Sequence, residues 1–145
     1  MIAVLTLPGL LESAAAAREF TAKCLAGSPA ADDAVLCVDE LFSNAVLHSA
    51  SGLPGGEVTV VVSAAGGTAR IDVIDEGPRP PGADASHGLG QGVLIVSQLA
   101  DAFGADGADR WFTVGTTDRS GEDLSAAAAV LERAGLAAII PAGAR

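Results

Sequence analysis

The stretch DELFSNAVLHS, Asp39 to Ser49, decides how the rest of the chain is read. Together with Val38, its apolar residues Leu41, Phe42 and Ala45 recur at i, i+3, i+4 and i+7, the stripe of a helix that packs on a core. Glu40, Asn44 and His48 sit four residues apart in the same stretch. At about 100° per residue, each of the three drifts only about 40° from the last. They therefore form one polar line on the flank of the apolar stripe, where the helix meets the rest of the fold. Two readings are open. One is a plain polar helix margin, in which Asn44 costs about half a kcal/mol of helix propensity against Ala. The other is a ligand-facing line, because a carboxylate and an amide oxygen are hard ligands suited to Mg²⁺ or to orienting a water.

Outward from this helix the pattern alternates. IAVLTLP (2–8) reads as a first strand, stopped by Pro8 and Gly9, and residues 11–26 read as a helix rich in Ala. Asp32 and Asp33 suit the positive end of the second helix, over 31–49. EVTVVVSAA (57–65) and ARIDVIDEG (69–77) predict two strands joined at Gly66-Gly67. Residues 77–92 form a Gly- and Pro-rich loop, followed by a helix over 91–101. A second hairpin is expected, with Ala102–Ala105, a turn at DGAD and then RWFTVGT. From Ser120 the chain reads as an Ala-rich helical tail. The order β-α-α-β-β-loop-α-β-β predicts an α/β two-layer sandwich, with a mixed, largely antiparallel sheet covered on one face by helices.

Composition narrows the functions. The 145 residues suit one domain, and half are apolar. With no Tyr, one Trp and four Phe, the core is built mainly from Ala, Val, Leu and Ile. The net charge of −10 and the scatter of only eight Lys plus Arg argue against nucleic acid and against an anionic membrane surface. The N-terminus lacks a basic region ahead of its apolar run, so no signal peptide is expected. No window is long and apolar enough for a membrane span. Cys24 and Cys37 have neither metal spacing nor the number for a disulfide framework and read as structural thiols of a cytoplasmic protein.

Two further constellations stand out. The strand IDVID ends in Asp75, followed by Gly77. A carboxylate at a strand end, beside a residue that lets a ligand approach the backbone, is a ligand-facing arrangement, though Asp and Gly are also ordinary turn residues. In HGLGQGVLIV, Gly88, Gly90 and Gly92 alternate around Leu89 and a helix opens at once. Such a loop presents free N–H groups and a positive dipole end to phosphate. It is not a Walker A loop, since no Gly-Lys-Ser/Thr follows, nor the dinucleotide fingerprint, which needs a βαβ unit.

In order and spacing the three elements resemble the boxes of the GHKL ATPase superfamily, which includes gyrase-type, chaperone-type and histidine-kinase-type ATP-binding domains. Glu40/Asn44 resembles its N-box, Asp75-Glu76-Gly77 its G1 box and Gly88–Val96 its G2 box. The resemblance covers about residues 1–117, leaving 118–145 as a separate C-terminal helical tail. The closest likeness is to the stand-alone anti-sigma-factor serine/threonine kinases, through DELFSNAVLHS, the short loop between the G1-like and G2-like boxes, and QLADAFG…RWFTV.

The resemblance implies the following roles. Glu40 is the base for the attacking hydroxyl. Asn44 holds Mg²⁺ on the ATP phosphates. Asp75 accepts from the adenine amino group, with Gly77 letting the base sit close. The loop Gly88-Leu89-Gly90, with Gly92, cradles phosphate. His48 occupies a family-like position, either as part of the site or as a satisfied hydrogen-bonding residue. The implied partners are a sigma factor, an antagonist protein that is phosphorylated, and a second copy in a homodimer. One departure is Arg79, which stands where the G1 box has its second Gly. It could stiffen the lid or contact phosphate or a partner. A non-catalytic module that only sequesters a partner is the alternative function. If Gly90 admits phosphate to the backbone, Gly90→Val is expected to weaken ATP binding while leaving the far-UV circular dichroism spectrum unchanged. Unchanged affinity in a folded variant would make the loop a linker.

Overall fold

Along Glu57–Ala65 (β2), Val58, Val60, Val62 and Ala64 are buried, while Thr59, Val61 and Ser63 between them are half-exposed. This period-two alternation is the mark of a sheet with one covered face. The computed structural model describes residues 1–81, 91–116 and 138–139. The other strands are Ile2–Pro8 (β1), Thr68–Ile74 (β3), Ala102–Asp106 (β4), Asp109–Gly115 (β5) and Ala138–Ile139 (β6). The helices are Ala14–Cys24 (α1), Ala31–His48 (α2) and Gln91–Leu99 (α3). The sheet order is β4-β5-β3-β2-β1-β6, and among the described residues every pairing is antiparallel, where the sequence predicts a mixed, largely antiparallel sheet. The fold is the expected α/β two-layer sandwich.

Register brings the apolar faces into line. Val62 pairs with Ala3 on one side and Ile71 on the other, and Ile71 pairs with Phe112. All four are fully buried. Over them lies α2, which packs against α1, α3 and strands β2, β3 and β5. Three of the five aromatics sit where the layers meet: Phe20 of α1, Phe42 of α2 and Phe112 of β5 are at most 2% exposed. Burying such a side chain is worth roughly 1.5–3 kcal/mol, so these three anchor a core otherwise made of small residues. Cys24 and Cys37 are buried and unpaired. Burial pushes their thiols up to about 12 and about 11, which keeps them protonated and unreactive.

Several boundaries differ from the sequence expectation; α1 ends at Cys24 and β3 at Ile74, both earlier than expected. Residues 11–13 form a 3₁₀ turn and α1 begins only at Ala14, the first residue there to reach the core. Helix α3 stops at Leu99, because the Asp101 N–H bonds the Thr113 carbonyl at 2.9 Å and the chain has already joined the sheet. After the stretch expected to be helical, Ala138 and Ile139 pair with Ala3 and Ile2 along the outer edge of β1. The tail helix expected from Ser120 lies outside the described residues. No helix among the described residues is long and apolar enough to cross a membrane.

The sheet face opposite the helices carries a charged cluster. Arg70 forks onto Asp72 (2.8–3.2 Å), stacks 4.6 Å over the Trp111 ring, and lies 3.7 Å from Asp109. Burial first, then the neighbouring Asp72 carboxylate, pushes Asp109 up to about 6, with Arg70 opposing and Asp106 adding to the rise. An acid whose folded pKa lies above its ordinary value of 3.8 contributes stability that is complete below that value and is lost as pH rises through about 6. Asp109→Asn is therefore expected to raise the melting temperature at pH 7 and to flatten the loss of stability between pH 4 and 6.5. A thermal unfolding series across that range checks it.

Candidate functional site

The site is built at the C-terminal half of α2. Val38, Leu41, Phe42 and Ala45 are buried in the core, which fixes the rotation of the helix about its axis. Glu40, Asn44 and His48, one helical turn apart, are accordingly half-buried along its flank, as the spacing predicts. His48 is the last residue of α2, and its Nε2 is closed off from solvent. On the outer side Arg18 of α1 pairs with Asp39, an exposed ion pair worth at most about 1 kcal/mol.

The second part follows β3. The Asp75 N–H bonds the Ala108 carbonyl at 3.0 Å, which holds the strand end against the β4–β5 turn. The chain then reverses through Gly77, whose φ of +84° is a conformation that side chains with a Cβ rarely adopt. Its N–H donates to Asp75 Oδ1 at 2.7 Å. This short turn orients the half-buried carboxylate and leaves Oδ2 to accept from a ligand.

The two parts are tied together by residues that sequence reasoning passed over. After α2 a 3₁₀ turn, Ala50–Gly52, brings the chain back toward β3. The Ala50 N–H donates to the Gly77 carbonyl at 2.8 Å. Ser51 is fully buried; its hydroxyl accepts from the Glu76 N–H at 2.9 Å and donates to the Glu57 carbonyl at 2.6 Å. Glu76 Oε2 in turn accepts from the Glu57 N–H at 3.0 Å. In the sequence, SASG signals only a helix end; no local spacing shows that its second Ser reaches a residue 25 positions on.

Arg79 does not extend away from the fold. Its Nε donates to the Ser49 carbonyl at 2.9 Å and its Nη2 to the Val46 carbonyl at 3.0 Å, so the guanidinium caps the C-terminal end of α2. A cation there also complements the negative end of the helix dipole. Gly88, Leu89 and Gly90 lie outside the described residues. Gly92 lies in the first turn of α3, so a helix does open directly after this loop, and α3 packs against α2. Among the described residues no group of three or more His, Cys, Asp or Glu could hold a metal. Glu40 and Asn44 on α2 present a carboxylate and an amide oxygen, which are hard oxygen donors. A cleft of about 490 Å³, bordered by Pro8–Leu10 and Gly52–Glu57, contains none of the predicted site residues.

Ser51→Ala would leave a part-buried carbonyl and a part-buried N–H without their partner. The expected cost is about 0.5–1.5 kcal/mol per lost bond, measured by urea unfolding. Hydrogen exchange at Glu76 is expected to speed up more than exchange in β2.

The comparisons bear on this geometry. The chain matches the histidine kinase-like ATPase domain over residues 7–114, a span that contains α2, Asp75–Gly77 and the Gly88–Gly92 loop. No curated protein matches the chain. The family match covers well over half the length, and it falls on a sheet and helix arrangement that agrees with it. The chain belongs to the histidine kinase-like ATPase family, whose domain is built to bind ATP.

Proposed function

We propose that the chain is a cytoplasmic, ATP-dependent serine/threonine protein kinase of the anti-sigma type. In this reading it sequesters a sigma factor and phosphorylates a hydroxyl on an antagonist protein. The observation that supports it is the half-buried line Glu40, Asn44 and His48, joined through the Ala50–Gly52 turn to the base-reading segment Asp75–Gly77. The pieces that contact phosphate and adenine are thereby part of one hydrogen-bonded unit.

Each residue has a separable task. Asp75 accepts from the amino group of adenine; guanine presents a carbonyl there, so lone pairs would oppose and GTP is rejected. Asn44 would hold Mg²⁺, which supplies charge neutralisation to the phosphates when bound. Glu40 takes the proton from the attacking Ser or Thr hydroxyl. As that oxygen bonds to the γ-phosphorus, the bond from phosphorus to the bridging β-γ oxygen breaks and ADP leaves.

A non-catalytic module that acts by sequestration alone is the second reading. It draws on Arg79, a cation clamped to α2 where the G1 box has its second glycine.

MgATP at a hundredfold excess over its dissociation constant is expected to stabilise the protein by roughly 2.7 kcal/mol, seen as a rise in melting temperature. GTP at the same concentration should give a much smaller shift. Equal shifts would remove Asp75 from the base site.

Glu40→Gln keeps the shape and removes the base. It is expected to bind MgATP like the parent yet transfer phosphate to the antagonist about 10²–10⁴-fold more slowly. Asn44→Ala should lose both binding and transfer. Parental transfer by Glu40→Gln would refute the catalytic assignment. A parent that binds MgATP but never transfers phosphate to any antagonist would leave the sequestering module.

A further inference from the structure

We infer that Arg79 is a positioning residue, one that sets the spacing between the adenine-reading and phosphate-reading halves of the nucleotide site. The inference rests on the nucleotide reading above and deepens it.

Among the described residues, the ties from the end of α2 to the segment after β3 include three that bear on the site. Two of them, Ala50 N–H to Gly77 and Glu76 N–H to Ser51, attach to the turn beyond the helix. Only Arg79 among these ties reaches the helix itself, at the carbonyl of Val46, two residues from Asn44 and two from His48. Its second bond, to Ser49, closes a fork across the helix terminus. Two donors held in one plane define an orientation as well as a distance, which one flexible donor does not.

The turn is shaped to admit this fork. A Cβ at Gly52 would lie 1.9 Å from the Val46 carbonyl oxygen and 2.8 Å from Arg79 Nη2, so any larger residue would displace the guanidinium. The Nε and Nη2 donors are engaged by backbone carbonyls, which makes the contribution to ATP indirect. A nucleotide that reaches from Asp75 to Asn44 feels the spacing between them. A ligand that contacts only the base half does not.

The test compares MgATP with adenosine by calorimetry on the full chain, for the parent, Arg79→Ala and Arg79→Lys. Arg79→Ala is expected to weaken MgATP by about tenfold or more and adenosine by less than about threefold. Arg79→Lys is expected to behave like the Ala variant, because an ammonium cannot span both carbonyls in a fixed plane. In the ligand-free variants, amide exchange at Ser49 and Ala50 should accelerate. Equal weakening of MgATP and adenosine would reduce Arg79 to a stabiliser of the fold and overturn the inference. So would parental MgATP affinity in Arg79→Lys, which would indicate a direct charge contact with phosphate. If Arg79→Ala does not fold, the same ratio in Arg79→Lys decides. A parent that binds neither ligand at millimolar concentration removes the nucleotide reading itself, and the inference with it.

Discussion

Burial of Phe42 between the sheet and the neighbouring helices sets the rotation of α2, and the site follows from that rotation. With Val38, Leu41 and Ala45 it directs one stripe of the helix into the core. A slip of one residue would turn the helix by about 100°, placing Glu40, Asn44 and His48 in the core or in open solvent. Desolvating Glu40 without a partner would cost far more than any packing gain. The hydrophobic stripe and the polar line are therefore one constraint seen from two sides. The apolar contacts supply most of the energy that holds the polar groups in place.

Rotation aims the polar line, but the end of the helix locates it along the axis. Ser49 and Arg79 bond its last carbonyls, Ala50 bonds Gly77, and Ser51 joins Glu76 to Glu57. Of these bonds, the buried one from Ser49 to Ala45 would cost close to its full desolvation penalty if unmade. The result is a small polar hub between α2, β2 and the segment after β3. A site divided between two such parts needs a hub of this kind, because loops alone hold positions too loosely for a ligand that touches both. The same hub bears on the choice between a kinase and a sequestering module. Arg79 makes the join between the two parts firmer than glycine would, which suits a preformed nucleotide site as well as a rigid partner-binding surface.

The sheet face opposite the helices has different physics. There Arg70, Asp72, Asp109 and Trp111 form a cluster in which the two acids share one guanidinium. Asp109 is raised because burial and Asp72 outweigh Arg70. None of this was visible in the sequence, where these residues read as ordinary members of two strands. The cluster exists because β3 and β5 pair in a register that sets Asp72 opposite Trp111 and Ile74 opposite Asp109.

By itself the sequence determined what depends on short range. The period of 3.6 over residues 38–48, the period of 2 over 57–65 and the glycines at 66–67 set the helix and the hairpin. The four-residue spacing of Glu40, Asn44 and His48 put them on one flank of α2, because a helix has only one geometry at that range. The order of these elements, compared with a known family, carried the two-layer fold and the ATP assignment. Only the tertiary structure decided how the halves of the site are joined. The contacts of Ser51 with Glu76, and of Arg79 with Val46 and Ser49, link residues 25 to 33 positions apart. Such pairings have no local period. They are chosen by which backbone donors and carbonyls remain unsatisfied once the helix ends and the strands have paired. Arg79 shows the difference most clearly: on paper it is a missing glycine in a loop, and in three dimensions it is the cap of the helix that carries the site.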